Sequence, residues 1–225
     1  MPEKKRPRRT PQRILETSLA LFNRFGEPHI TTADIADEMN ISPGNLYYHF
    51  RNKDDIIGAL YDALEGGIMP LLAVPDRRAA GVEDLWLWLH LLFERMREYR
   101  FFYRDLDEIT SRNRRIATRF ADLMRRGENT VIELCRGLVA TGEMRATERE
   151  IASLASNVTL VATYWMSFQR IGARHGGDDV DGSRGPGNEV AASLDRAAFQ
   201  VLALIAPYLV GDGRALIEKL GEDYL

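Results

Sequence analysis

The chain has 225 residues, 45% hydrophobic and 28% charged, a balance that fits a soluble globular protein and excludes a fibrous or intrinsically disordered one. A chain this long can bury most of its apolar surface without staples, and its single cysteine, Cys135, excludes an intrachain disulfide framework or a cysteine-based metal site. The net charge of −3 is unevenly placed: Lys4, Lys5, Arg6, Arg8, Arg9 and Arg13 against Glu3 give residues 1–13 a local +5, which leaves −8 on the remainder.

A basic arm on an acidic body fits an anionic polymer bound at one end. It fits a disordered solubilising tail equally well. Cys135 lies between Leu134 and Leu138 at helical spacing, which suits a packed core thiol. No apolar stretch follows the basic start, as a secretory signal requires. The longest apolar runs, 85–93 and 201–210, fall far short of the roughly 20 residues that span a bilayer. The expectation is a cytoplasmic protein, close to the bacterial nucleoid, with no membrane partner.

In chain order, residues 1–9 are charged, contain proline and carry no helical pattern. Thr10 and Pro11 open a helix as N-cap and first residue, and Gly26 closes it. Ile14, Leu15, Leu19, Phe22 and Phe25 share one face of it. Thr31 and Asp34 read as a capping box for a second helix, and Asn40 stands where the chain must turn. Ser42 and Pro43 start a short third helix, ending near Phe50. A fourth starts after Asn52 and runs through Ile56, Leu60 and Leu64. Pro70, Pro75 and Gly81 mark a break. Residues 82–99 are apolar on all sides, as in a buried helix. A short helix follows near 101–110. Longer ones cover about 113–141, 148–171 and 189–210, and a last amphipathic piece fills 213–222. Residues 172–187 hold six glycines and read as a loop. No strand alternation emerges, so the fold class is all-α.

Residues 31–53 are the informative segment. Ile35, Ala36, Met39, Ile41, Leu46 and Phe50 can pack against the first helix. That leaves Pro43, Gly44, Asn45, Tyr47, Tyr48 and His49 facing outward. Solvated helix faces are rich in Lys and Glu, whereas this face is small, aromatic and hydrogen-bonding. Such residues suit a helix pressed into a major groove. The Ser42 hydroxyl and the free N–H groups at that helix start favour a phosphate.

The string Gly44-Asn45-Leu46-Tyr47-Tyr48-His49-Phe50-Arg51-Asn52-Lys53 resembles the DNA-binding domain of the TetR/AcrR family of transcriptional regulators, with the likeness covering roughly residues 10–60. The resemblance implies an N-terminal three-helix helix-turn-helix domain over residues 10–56, after a basic arm at 1–9. It also implies a helical ligand-binding and dimerisation domain over 57–225. It implies phosphate contacts from Thr32, Tyr48, His49 and Lys53, with Thr31 and Ser42 on the same surface. Pro43, Gly44, Asn45 and Tyr47 would meet base edges or the groove wall. Ala33 departs from members that carry a base-reading Arg there, so readout falls to helix 42–50, the arm or DNA shape. Asn45 is the best candidate for a base contact, since Asn pairs bidentately with adenine.

Seven of the chain's 20 aromatics fall between positions 86 and 103. They suit core packing, and the resemblance adds a cavity for a small apolar or aromatic effector. Candidate lining residues are Trp86, His90, Phe93, Phe102 and Tyr103, faced by Asn157, Tyr164, Trp165 and Phe168. Thr163 offers a hydroxyl on the same helix. His90 suits a core histidine as well as a pocket residue. Val190, Leu194, Ala197, Ala198, Val201, Leu202, Ile205 and Leu209 could pair helix 189–210 with helix 148–171 in a four-helix dimer bundle. The alternative is burial within one subunit.

The resulting expectation is a ligand-responsive repressor that binds a palindromic operator as a homodimer. Effector binding would shift subunit spacing through helix 53–73 and release the DNA. His29, His49, His90 and His175 are scattered without metal-ligand spacing. Neither a metal, a cofactor nor enzymatic activity is expected. Two other readings remain open: a TetR-like regulator controlled by a protein partner, and an all-α carrier or enzyme with an incidental helix-turn-helix.

Overall fold

The computed structural model describes residues 10–73, 81–173 and 186–221. The basic arm at 1–9, Pro75, His175 and most of the glycine-rich stretch lie outside the described residues. The described residues form eleven α-helices joined by short turns, with no strand among them.

Helices α1 (Thr10–Phe25), α2 (Thr32–Glu38), α3 (Pro43–His49) and α4 (Lys53–Ile68) form the N-terminal unit. Local chemistry sets their ends. Gly26 ends α1 at φ 98°, a conformation that L side chains rarely adopt. Thr31 and Asp34 close a reciprocal capping box at the start of α2. Asn40 turns the chain at φ 53°. Ser42 and Asn52 cap α3 and α4 by accepting from the N–H groups of Asn45 and Asp55. Ile14, Phe22, Ile35, Ala36, Leu46 and Ile56 are all fully buried between these helices. Each large apolar side chain so buried contributes about 1.5–3 kcal/mol. Helix α4 runs unbroken through position 56, so a boundary placed there falls inside a continuous helix.

The remaining helices are α5 (Val82–Glu98), α6 (Arg100–Arg104), α7 (Leu106–Arg112), α8 (Arg114–Thr141), α9 (Glu148–Ala173), α10 (Pro186–Ile205) and α11 (Asp212–Gly221). The single short helix expected near 101–110 is two, because the chain bends at Asp105. Gly142 closes α8 at φ 80° in a left-handed cap. Helices α9 and α10 pack along each other, and α8 lies against α9. Helix α5 is less enclosed than its composition suggests: Leu87 and Leu91 are exposed. Cys135 is fully buried and burial pushes its thiol up to about 11, which keeps it protonated and inert.

The residues expected to join two subunits along helix 189–210 are instead core. Leu194, Ala197, Ala198, Val201, Leu202, Ile205 and Leu209 are at most 3% exposed within one chain, and the side chain of Val190 lies outside the described set. Their 3.6-residue spacing faces α5, α9 and α11 of the same subunit.

Candidate nucleic-acid interface

Helix α3 buries Leu46 and turns its other side chains outward. Pro43, Gly44 and Asn45 are exposed, Tyr47 is 48% exposed and Tyr48 84%. His49 is half-buried with its ring edge-on to Tyr48 at 5.0 Å. Two tyrosines left in water beside small residues are costly on a plain surface, and their hydroxyls and rings are the kind of groups that meet phosphates and base edges.

The ten residues expected on this surface divide by what they already bond. Thr31 is occupied: its hydroxyl donates to Asp34 Oδ2 at 2.7 Å and accepts from the Asp34 N–H at 3.2 Å. That hydroxyl bond and the Thr31 N–H hold the Asp34 carboxyl below its ordinary range. Ser42 Oγ accepts from the Asn45 N–H at 3.2 Å, which leaves its own proton to donate. Thr32 Oγ1 lies 2.9 Å from Tyr47 Oη, tying the start of α2 to the middle of α3.

Lys53 does not extend toward this face. Its Nζ donates to the carbonyls of Glu27 and Ile30, both at 3.0 Å, and pairs with Glu27 Oε1 at 2.7 Å. An ammonium has three donors, and all three are used. In the chain without DNA, Lys53 is thus engaged as an internal strut. Glu27 itself is fully buried, and its Oε1 also receives Arg112 Nη2 at 2.8 Å. A buried carboxylate needs this pairing.

The segment Phe101-Phe102-Tyr103-Arg104-Asp105-Leu106 spans α6 and the bend into α7. The structure makes it a wedge under α1. Phe101, Phe102 and Tyr103 are buried, with Phe101 against Phe22 at 5.3 Å between ring centroids and Phe102 against Tyr61 at 5.1 Å. Arg104 donates to the Phe22 carbonyl, one of the last in α1, and Asp105 Oδ2 accepts from the Glu27 N–H at 2.9 Å. Asn23 bonds the Glu98 carbonyl and the Phe101 N–H. The helix-turn-helix is thus anchored to the body by named bonds between residues 75–85 apart in sequence, which no local pattern could reveal.

A family model described as "Bacterial regulatory proteins, tetR family" matches residues 14–60, and one described as "Bacterial transcriptional repressor" matches residues 65–217, more than half of the chain. The chain belongs to the TetR family. A TetR-family transcriptional regulator from Marinobacter aquaeolei VT8 is 33% identical, covers 96% of this chain and 98% of its own, and superposes with a TM-score of 0.79. A putative transcriptional regulator from Saccharomonospora viridis, in complex with choline, shares the fold at 22% identity and a TM-score of 0.65, covering 90% of this chain and 98% of its own. The probable acrEF/envCD operon repressor of Escherichia coli K12 is 36% identical over 53 residues, 24% of each chain. TtgR of Pseudomonas putida is 34% identical over 61 residues, 27% of this chain and 29% of its own. The chain thus matches about a quarter of the length of these two curated relatives. This TetR-family member is accordingly a DNA-binding transcription regulator.

Its body holds an apolar cavity of about 60 Å³, bounded by α4 and the turn after it, α5, α6, α8 and α9. Ile68, Leu72, Trp88, Leu92, Met96, Tyr103, Phe120, Leu123, Gly127, Val158, Thr159 and Thr163 are among the residues that line it. Of the nine effector-binding candidates, Tyr103 alone lines it. Burial raises the Tyr103 phenol above its ordinary value, so it stays a neutral hydroxyl. Phe93 is core, and Phe102 packs on Tyr61 and Phe120. Trp86 stacks on His90 at 5.2 Å, one helical turn away and outside the cavity. Trp165 packs on Phe168 at 5.6 Å. Asn157 and Tyr164 are exposed, as is Phe168 at 67%. Trp88 and Phe120, outside the expected set, also line the cavity: Trp88 lies two residues beyond Trp86, on another face of the helix. No helix among the described residues is long and apolar enough to cross a membrane.

Proposed function

We propose that this protein is an effector-responsive repressor that binds a palindromic operator as a homodimer, with residues 10–56 reading DNA and the remainder forming the effector-binding and dimer body. The observation that carries the DNA-binding part is the outward face of α3, where Pro43, Gly44, Asn45, Tyr47 and Tyr48 are exposed while Leu46 anchors the helix. In this reading Tyr48 and His49 meet phosphates, and Asn45 meets a base edge. Two copies place their α3 helices about 34 Å apart, one turn of duplex.

The apolar cavity supports the effector part, because Ile68 belongs to α4, the helix that follows α3 and packs on α1 of the DNA-binding unit. No charged side chain is among its lining residues, so the effector is neutral and apolar, oriented by the Tyr103, Thr159 and Thr163 hydroxyls. At about 60 Å³ the cavity is smaller than the roughly 150 Å³ that holds a benzene. A ligand must therefore part the surrounding helices, and a displaced α4 is how entry reaches the DNA.

Selection of bound duplexes from random DNA tests the reading. The expected result is an inverted repeat, and recovery of no sequence would overturn it. A thermal-shift screen of neutral aromatic compounds against the wild type and Gly127→Leu tests the cavity. Gly127 lines the cavity and nothing lies within 4 Å of a Cβ added there, so a side chain can start at this position without a clash and the leucine is the probe for filling the space. Compounds that stabilise the wild type and release its operator should lose both effects in the variant.

A further inference from the structure

Thr32 is the first residue of α2, and the closed exchange between Thr31 and Asp34 fixes that helix start. Thr32 is therefore a half-buried side chain on a rigid mount. Its hydroxyl reaches across the turn to Tyr47 Oη at 2.9 Å. Tyr47 needs such a partner. Its ring is 48% exposed on a helix of seven residues, so packing alone holds it loosely. A phenol free in water samples several rotamers, and a DNA contact made through it must first select one. A hydrogen bond formed in the free protein makes that selection before DNA arrives. Each hydroxyl carries one proton. When Thr32 donates, the Tyr47 proton stays available for an acceptor beyond it.

We propose that Thr32 is a positioning residue: it donates to Tyr47 Oη and leaves the Tyr47 hydroxyl proton for an acceptor on DNA, instead of itself contacting a phosphate. This rests on the DNA-binding reading above. It makes one prediction that a direct phosphate contact does not share. The two residues act as a unit, so removing either hydroxyl removes the same contribution.

The test is a double-mutant cycle on the full chain. The probe is the tightest duplex recovered from random DNA with the wild-type protein, and binding is read by fluorescence anisotropy at fixed salt. Thr32→Val keeps the β-branch and volume and deletes the hydroxyl, and Tyr47→Phe deletes the other one. Each should weaken binding about three- to ten-fold, the span of one neutral hydrogen bond. The double variant should be no weaker than Tyr47→Phe alone, and Thr32→Ser should bind within about two-fold of wild type, since it restores the donor. Losses that multiply in the double variant would overturn the proposal, because Thr32 would then contact DNA by itself. A harmless Thr32→Val, a harmless Tyr47→Phe or a Thr32→Ser as weak as the valine would each overturn it too. Melting of the free variants checks the fold, and Thr32→Ala closes the same cycle should the valine not fold. A wild type that selects no duplex overturns the DNA-binding reading. A wild type that binds while the cycle fails overturns only this inference.

Discussion

Lys53 shows how far a residue's role depends on what lies beneath it. In the sequence it ends the most recognisable string in the chain, and a lysine there invites a phosphate. In the structure its three donors go to the Glu27 carbonyl, the Ile30 carbonyl and the buried Glu27 carboxylate. The caps at Thr31, Ser42 and Asn52 were legible because each bond spans three residues. The Lys53 bonds span 23 and 26 residues and depend on a carboxylate that no spacing marks as buried. The two roles predict different outcomes for Lys53→Met. A phosphate contact would lower the salt dependence of DNA binding by about one unit of log–log slope and leave stability alone. The strut predicts the reverse. Removing one partner of a buried charge costs about 3 kcal/mol, with Arg112 retaining part of the compensation. For a chain of this size that lowers the melting temperature by roughly 6–12 °C. Calorimetry and a salt titration on the same sample check both halves.

At the scale of elements, α4 is held near its start and again farther along by arginines of α7 and α8. Arg112, at the end of α7, reaches Asp54 at 3.2 Å and Glu27 at 2.8 Å beside the start of α4. Arg119 of α8 holds Asp62 at 2.6 Å and Glu65 farther along α4, and its guanidinium lies 4.9 Å over the Tyr61 ring. The helix itself was legible from Asn52 and the Ile56, Leu60, Leu64 spacing. Its clamps were not, because charges seven residues apart on α7 and α8 read as an ordinary solvated face. Arg119 is 27% exposed and Asp62 60%, so solvent screens these pairs. Arg119→Met keeps the stem and removes the charge, at a cost on the order of 1 kcal/mol. The expected signature is local. Amide exchange should quicken along α4 and stay unchanged in the cores of α9 and α10. The difference from wild type should shrink in 1 M salt, where the screening length is about 3 Å. Uniform acceleration across the molecule would mean that Arg119 supports global stability alone.

At the scale of the molecule, the all-α layout and the existence of two apolar C-terminal helices were readable from periodicity, but which faces turn inward was not. Helix α10 has apolar residues around most of its surface, and the set with the cleanest spacing went to the core. The face left over belongs to α9, where Leu160, Tyr164 and Phe168 repeat at one-turn intervals and are 58%, 37% and 67% exposed. Phe199 and Leu204 of α10 are half-buried beyond it. An exposed leucine, tyrosine and phenylalanine in one row form the kind of patch that marks an association surface. In a twofold dimer the row on one copy meets the same row on the other, so one substitution acts twice. Phe168→Asp places two carboxylates in the apolar centre of such an interface, yet in a single chain it replaces a side chain that is already two-thirds in water. The variant should therefore keep its helical content and unfold cooperatively. Light scattering at micromolar concentration should find the wild type as a dimer and the variant as a monomer. Operator binding should weaken by at least about 100-fold, because the second half-site is no longer delivered at high effective concentration. A variant that remains dimeric with full operator affinity would move the interface off α9.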